Sequence, residues 1–145
     1  MNAAKKINFC LMPDADGYPP VSVESLWANP SGNNYVIDSI PFFTSEATLG
    51  DLVRVKRGEG DALWFEGVER PSGHSLLRAV FFDEASVGEV IASLVAAGCD
   101  TERMNVFKLL AIDVPEDVSL ADVQRILQQE SAAGRLDYEE PILRH

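Results

Sequence analysis

The residue types best suited to chemistry lie around His74, in a polar turn between two apolar segments. Ser72 and Ser75 flank this histidine, and Trp64 lies in the apolar segment before the turn. An imidazole can transfer protons near neutral pH, but serine chemistry also needs a base and an orienting carboxylate, and the spacing identifies no third member. The pattern favours a structural turn, with a ligand pocket or acid–base catalysis as alternatives. The second histidine, His145, is expected to be mobile.

Metal and phosphate sites require spacings that this chain lacks. Asp14 and Asp16 are two positions apart, and Glu139 and Glu140 are adjacent, but neither pair has the spacing of a calcium-binding loop. The glycines in segment 58–61 alternate with acids, which would repel a phosphate. The sequence therefore predicts no metal and no cofactor.

Carboxylates are the dominant charged groups of the chain. The sequence has 23 Asp and Glu against 12 Lys and Arg, a formal net charge of −11. Nucleic acids and anionic membranes are bound by clustered cations, which are scattered here, so neither is expected as a partner. The charge favours a basic protein partner. The predicted partner-binding residues are Asp137, Tyr138, Glu139 and Glu140, with Asp14 and Asp16. The segment 137–140 combines an aromatic residue with acids, and the proline that follows it is suited to an edge strand.

The elements that would position these residues fall into two halves. Residues 1–72 show short alternating apolar segments separated by turn signals at 13–20, 30–34 and 58–61. This pattern predicts a β-rich subdomain, either a strongly bent sheet or a partial barrel. Aromatic side chains within strand patterns are expected to pack in the core, namely Trp27, Trp64, Phe65, Phe81 and Phe82.

Residues 73–145 change to an α+β pattern. The predicted order is β-α-β-β-α-β, which is typical of a ferredoxin-like sandwich with two helices on one face of an antiparallel sheet. The first helix has the spacing of a capping box at Ser86, and Ser119 is placed to cap the second. Gly98 and Gly134 are expected to end the two helices. At 145 residues the two subdomains are predicted to form one compact α+β unit.

Cysteine usage and hydropathy bear on the compartment. Cys10 and Cys99 are far apart and lack a C-x-x-C partner, so both are expected to be reduced thiols. The apolar stretch near the N-terminus is too short for a signal peptide, and no stretch approaches the length of a membrane span. The protein is therefore expected to be cytoplasmic.

Seven short motifs together suggest a family. They are residues 20–28, 40–43, 49–53, 63–65, 72–75, 78–82 and 134–140. In these motifs, over most of its length, the chain resembles the bacterial domain-of-unknown-function family 4265. The resemblance implies a small stand-alone bacterial protein without an established activity. It also implies a link to immunity proteins, because some members are associated with polymorphic toxin modules.

These observations together predict a non-enzymatic, acidic binding protein. We expect an immunity protein that neutralises a cognate bacterial toxin, through steering by carboxylates and burial of a tyrosine or tryptophan anchor. The alternative is a small-molecule sensor with a cleft near His74, and a third reading is an enzyme that uses His74. A deep, partly apolar pocket would favour the sensor, and a flat acidic surface would favour the binder. The sequence leaves the oligomeric state open.

Overall fold

The computed structural model describes residues 3–145, which divide into two compact units at the bond between Ser72 and Gly73. The first unit contains five strands, and the second contains four strands and two helices. Two sheets and two helices confirm the predicted mixed α+β class.

The first unit is a closed five-stranded barrel. Its strands are β1 (Lys5–Cys10), β2 (Val23–Ser31), β3 (Asn34–Ile37), β4 (Leu52–Arg57) and β5 (Leu63–Arg70). Each strand pairs antiparallel with the next, and β1 also pairs parallel with β5 at Ile7–Leu63 and Asn8–Trp64. An up-and-down run of five strands ends in the direction in which it began, so its closing pair must be parallel. That pair turns the predicted partial barrel into a closed one.

Strand alternation fills the barrel with apolar side chains. The buried set is Ile7, Phe9, Leu26, Ala28, Ile37, Ala47, Val53 and Leu63. The rings of Phe9 and Phe65 stack in this interior with centroids 4.6 Å apart. Trp27 lies between Leu26 and Ala28 on β2, so it points outward and is 50% exposed. The expectation that Trp27 packs in the core is therefore wrong.

A buried carboxylate anchors the loop that follows β3. Glu24 lies on β2 with 8% exposure. Its two oxygens accept hydrogen bonds from the backbone N–H groups of Phe42, Phe43 and Thr44, at 2.7 to 3.3 Å. Charge-assisted bonds to three consecutive amides offset the cost of burying a carboxylate. Glu24 thus fixes the course of this loop.

The second unit is a four-stranded antiparallel sheet with two helices. Its elements are β6 (Ser75–Phe81), α1 (Val87–Ala96), β7 (Asp100–Met104), β8 (Leu109–Val114), α2 (Leu120–Ala132) and β9 (Leu136–Ile142). The strand order is β7-β8-β6-β9, and every neighbouring pair is antiparallel. One face of the sheet packs with the helices in a single core, formed by residues such as Leu77, Phe81, Leu94, Leu110, Ile112, Val123, Leu127 and Leu136.

The two helices begin differently. The side chain of Ser119 accepts a hydrogen bond from the N–H of Asp122, as its capping position predicts. Ser86 makes no such bond, because the 3₁₀ turn Glu84–Ser86 precedes α1 and holds Ser86 in a helical conformation. Its hydroxyl instead donates to the carbonyl of Asp83, so the predicted capping box is wrong.

Both helices end as the sequence predicts. Gly98 and Gly134 follow α1 and α2 with φ angles of 107° and 76°, in the left-handed region that favours glycine. Among residues 3–145, neither helix is both long enough and apolar enough to cross a membrane.

Candidate functional site

His74 lies immediately before β6 and bonds to a buried carboxylate on β8. Its Nδ1 is 2.9 and 2.8 Å from the two carboxylate oxygens of Asp113. Asp113 is fully buried, whereas the His74 side chain is 27% exposed. Burial raises the pKa of Asp113, and the hydrogen bond and charge of His74 lower it in part. His74 therefore acts on Asp113 as the group that stabilises a buried carboxylate.

Ser75 belongs to a second network. Its Oγ lies 2.6 Å from Nδ1 of His145 and accepts a hydrogen bond from the N–H of Arg144. Nε2 of His145 lies 2.7 Å from the carbonyl oxygen of Pro115. A carbonyl only accepts, so we assign the proton to Nε2, which leaves Nδ1 to accept from the Ser75 hydroxyl. Both ring nitrogens are engaged, so the expectation that His145 is mobile is wrong.

These four side chains do not form a catalytic triad. A triad needs one imidazole that bonds both the serine and the carboxylate. Here Ser75 bonds to His145, while Asp113 bonds to His74. Ser75 is also fully buried. The arrangement of these residues supports two structural hydrogen-bond networks, one on each histidine.

Ser72 and Trp64, which the sequence placed near the same turn, lie in the first unit. The Ser72 N–H donates to Asp51 Oδ1, and its hydroxyl donates to the carbonyl of Leu49, both at 2.8 Å. Asp51 is fully buried, and its Oδ2 accepts from the N–H of Thr48. Ser72 thus stabilises a loop of the barrel. Trp64 is half-buried on β5 and faces outward with its cross-strand partners Asn8 and Lys56, so the expectation that it packs in the core is wrong.

The pleat of the sheet places alternate residues of the acidic segment 137–140, on β9, on opposite faces. β9 is an edge strand, because it pairs only with β6 in the strand order. Tyr138 lies opposite Ala79 and packs against the helix-side core. Glu140 accepts a hydrogen bond from Gln124 of α2 at 2.6 Å. Tyr138 and Glu140 are therefore occupied within the unit, and Tyr138 does not provide an exposed anchor.

The remaining two acids of the segment lie on the other face of the sheet. Asp137 pairs with Val80, and Glu139 pairs with Arg78. Arg78 is 3% exposed, and its Nη1 lies 3.4 Å from Glu139 Oε1. The carboxylate of Glu139 is thus held in place by a buried cation, while its side chain stays 54% exposed.

An exposed aromatic ring lies next to these acids. Phe82 directly follows β6, and its N–H donates to the carbonyl of Arg135, so the ladder with β9 continues to this residue. Alternation places Phe82 on the side of Val80, and the two are 66% and 39% exposed. The expectation that Phe82 packs in the core is wrong, because its neighbour Phe81 takes the inward position. We call Val80, Phe82, Asp137 and Glu139 the Phe82 surface.

Phe82 was the functional candidate that sequence reasoning missed. Two adjacent phenylalanines in one strand cannot both face the core, since successive side chains alternate. The pair Phe81–Phe82 was therefore a usable signal for one exposed ring.

The predicted acids of the first unit lie in a loop. The Asp14 carboxylate accepts hydrogen bonds from the N–H groups of Asp16 and Tyr18, at 2.9 and 3.1 Å. This is a local turn in which Asp14 bonds its own loop, and both acids are exposed.

Neither cysteine chemistry nor a metal cluster is indicated by the geometry. Burial, with further contributions from Asp113 and Asp100, raises the pKa of Cys99 to about 12, so the thiol is not nucleophilic at neutral pH. Cys10 is an exposed free thiol. Within residues 3–145, no three His, Cys, Asp or Glu side chains are grouped so that they could hold a metal ion.

Comparisons with known proteins place the chain in a family. A solved structure described as "Novel crystal structure of a hypothetical protein from Neisseria gonorrhoeae" is similar over 100% of this chain and 97% of its own, with a TM-score of 0.78 and 21% identity. That similarity concerns the fold. No curated protein matches the chain. The family described as "Domain of unknown function (DUF4265)" matches residues 24–138, and the chain belongs to this family.

Proposed function

We propose that the protein is a non-enzymatic binding protein whose partner is a basic protein, most specifically a bacterial toxin that it neutralises by direct contact. The observation that carries this proposal is the Phe82 surface, where an exposed ring and a partly exposed valine lie beside two exposed carboxylates. Interfaces gain most of their affinity from a few buried aromatic side chains surrounded by polar groups. The Phe82 surface has this composition.

Each component has a distinct physical role. Full burial of a phenylalanine contributes about 1.5 to 3 kcal/mol, so burying the exposed two-thirds of Phe82 supplies roughly 1 to 2 kcal/mol. Asp137 and Glu139 attract cations before contact and so raise the association rate. Arg78 limits the motion of Glu139 and thereby lowers the entropy cost of pairing it with a partner's cation.

The distribution of charge supports the same unit. Residues 73–145 contain more than half of the acidic side chains of the chain but only half of its basic ones. The second unit therefore has the stronger negative field, which favours approach of a basic partner.

The test begins with the partner itself. The tagged protein is purified from its native cell at low and moderate salt, and a stoichiometric partner is then expressed alone to test for toxicity. We expect a basic protein that is toxic alone and harmless when co-expressed. A protein that purifies without a partner at both salt concentrations would contradict the proposal.

Variants then locate the surface on the complex. We expect Phe82→Ala to raise the dissociation constant about five- to thirtyfold, from the apolar burial estimated above. The matched control is Val106→Ala, which truncates a side chain of the same unit that is 83% exposed and outside the surface. Asp137→Asn with Glu139→Gln should slow association and weaken its salt dependence. If both variants associate and dissociate at the wild-type rates, the interface does not include the Phe82 surface and the assignment of the interface is wrong.

Two finer assignments accompany this proposal. We assign the second unit to the ferredoxin-like topology, which is supported by its element order and by the antiparallel strand order β7-β8-β6-β9. We also infer a cytoplasmic location, and the two unpaired cysteines are consistent with a reducing compartment.

A further inference from the structure

The barrel brings together basic residues that are far apart in the sequence. Lys5 and Lys6 lie on β1, and β4 contributes Arg54, Lys56 and Arg57. Neither strand contains an acidic residue. Barrel closure places β1 and β4 on the two sides of β5, so their outward side chains share one surface. Lys5 and Arg57 pair with the buried residues Ala28 and Leu63 and so belong to the interior-facing side, and the outward Arg54 is ion-paired with Glu69. Lys6 and Lys56 therefore remain as the outward cations beside β5, although the whole chain carries a net charge of −11.

Strand register places both tryptophans of the chain on that surface. Trp64 of β5 lies opposite Asn8 on one side and Lys56 on the other. Trp27 of β2 lies opposite Lys6 of β1, two residues before Asn8. Cross-strand partners point to the same face, so these five residues form one outward strip, which we call the tryptophan strip. Trp27 and Trp64 are two strands apart and offset by two residues along β1, which separates their backbones by about 12 Å at the usual strand spacing and rise.

The two indole rings are held in place. Nζ of Lys6 lies 5.1 Å from the ring centroid of Trp27, a cation–π contact that leaves Trp27 50% exposed. The indole of Trp64 packs closely against the backbone at Gly58, where an added Cβ would lie 2.7 Å from Nε1. Rings that are already ordered lose little entropy when a partner covers them. Among the ion pairs of residues 3–145, none involves Lys6 or Lys56.

We propose that the tryptophan strip binds a short acidic segment of a partner protein, with its carboxylates on Lys6 and Lys56 and an apolar side chain against the indoles. The charge around the strip limits the length of this ligand. Glu59 and Asp61 lie in the turn between β4 and β5, and Glu66 is the next outward residue on β5 after Trp64. A nucleic acid would extend its phosphates over these acids, whereas two or three carboxylates fit between them. This inference goes beyond the proposed function, because the surface and its charge are different.

Intrinsic fluorescence of the full chain provides a direct assay, because both of its tryptophans lie in the strip. The probe is the acetylated, amidated peptide Glu-Leu-Glu-Phe, titrated at low ionic strength. The controls are the same peptide with lysine at each acidic position and a twelve-residue oligothymidylate. We expect a saturable change in tryptophan emission with the acidic peptide alone. Its absence up to millimolar peptide, or tighter binding of the oligothymidylate, would overturn the proposal.

Surface variants distinguish binding at the strip from a general attraction between opposite charges. Lys6→Gln combined with Lys56→Gln should raise the peptide dissociation constant at least tenfold, while Arg70→Gln, an exposed cation outside the strip, should leave it unchanged. An equal loss of peptide affinity in both variants would indicate only a general charge effect and would refute binding at the strip. Phe82→Ala should not alter peptide binding, so the strip and the Phe82 surface can fail independently. An unchanged circular dichroism spectrum verifies that each variant is folded.

Discussion

The bond between His74 and Asp113 makes a quantitative prediction about stability. Replacing His74 with alanine leaves the fully buried Asp113 carboxylate without the imidazole that lies 2.8 to 2.9 Å away. The second unit must then either bury an unpaired charge or fold with Asp113 protonated. We therefore expect His74→Ala to destabilise this unit strongly at neutral pH and weakly in acid.

The magnitude follows from the two ways in which the variant can fold. A lost hydrogen bond to a charged group costs about 1.5 to 3 kcal/mol. Protonating a carboxyl with an ordinary pKa of about 3.9 costs about 4 kcal/mol at pH 7 and about 1 kcal/mol at pH 4.5. Because the variant can always fold with Asp113 protonated, the cost of protonation at each pH is an upper limit on the loss of stability. We expect a loss of about 2 to 4 kcal/mol at pH 7 and about 1 kcal/mol at pH 4.5.

The direction of the pH effect follows from the raised pKa of Asp113. A carboxyl whose pKa is higher in the folded state favours folding below its unfolded pKa, and this contribution is lost as the pH rises through the folded pKa. Removing the imidazole of His74 removes the two largest influences that lower the pKa of Asp113 and leaves only the weaker one of His145, so the pKa rises further in the variant. The difference in unfolding free energy between variant and wild type should therefore widen as the pH rises.

Urea unfolding between pH 4.5 and 7.5 provides the measurement. Both helices lie in the second unit, so far-UV circular dichroism at 222 nm follows its unfolding. Asp113→Asn in the His74→Ala background removes the buried charge and should restore stability at pH 7. An equal loss at both pH values, or a double variant no more stable than His74→Ala at pH 7, would refute the electrostatic argument.

Three further predictions test the packing and hydrogen bonding of the two units. Glu24→Gln should lower the free energy of unfolding by about 2 to 4 kcal/mol, because the amide NH₂ of glutamine would face backbone N–H groups that now bond to carboxylate oxygens. Urea unfolding followed by tryptophan fluorescence measures this loss, and a loss below about 1 kcal/mol would contradict the prediction. Thr48→Val should leave the melting temperature unchanged or raise it, because Thr48 Oγ1 is buried without a hydrogen-bond partner within residues 3–145. A clear decrease in the melting temperature would contradict this. Gly98→Ala should destabilise the second unit by at least about 1 kcal/mol, because Gly98 has a positive φ and an added Cβ would lie 2.7 Å from Val118. Gly88 lies within α1 with open space around it, so Gly88→Ala should stabilise the unit by up to about 1 kcal/mol. Calorimetry that gives both changes the same sign would refute this reasoning.

Local sequence signals predicted the elements that depend on local interactions. The cap at Ser119 and the helix ends at Gly98 and Gly134 follow from hydrogen bonding and backbone freedom within a few residues. The predicted capping box at Ser86 is wrong because Ser86 belongs to the 3₁₀ turn before α1, where its hydroxyl donates to the carbonyl of Asp83. Residue type and spacing do not distinguish a helix that begins directly from one that begins through such a turn.

Long-range pairing determined what the sequence could not show. The pairing of His74 with Asp113 joins two strands through tertiary structure, and no spacing rule relates residues so far apart. Barrel closure likewise brings Asn8 of β1 beside Trp64, and with β1 comes Lys6, so that two cations from distant parts of the sequence lie on one outward strip. The division of the acidic segment required knowledge of which side of β9 faces the helices, since Tyr138 and Glu139 point in opposite directions.

The parallel closure of the barrel also has a consequence for folding during synthesis. The hairpin of β1 and β2 can form early, but one side of β1 has no strand beside it until Leu63 and Trp64 have left the ribosome. Contacts of large sequence separation form slowly because a long loop must be ordered first. The nascent chain therefore passes through a stage in which the backbone of β1 is an open template for another strand. When β5 pairs with β1, it also removes the edge at which a second nascent chain could add a strand and aggregate.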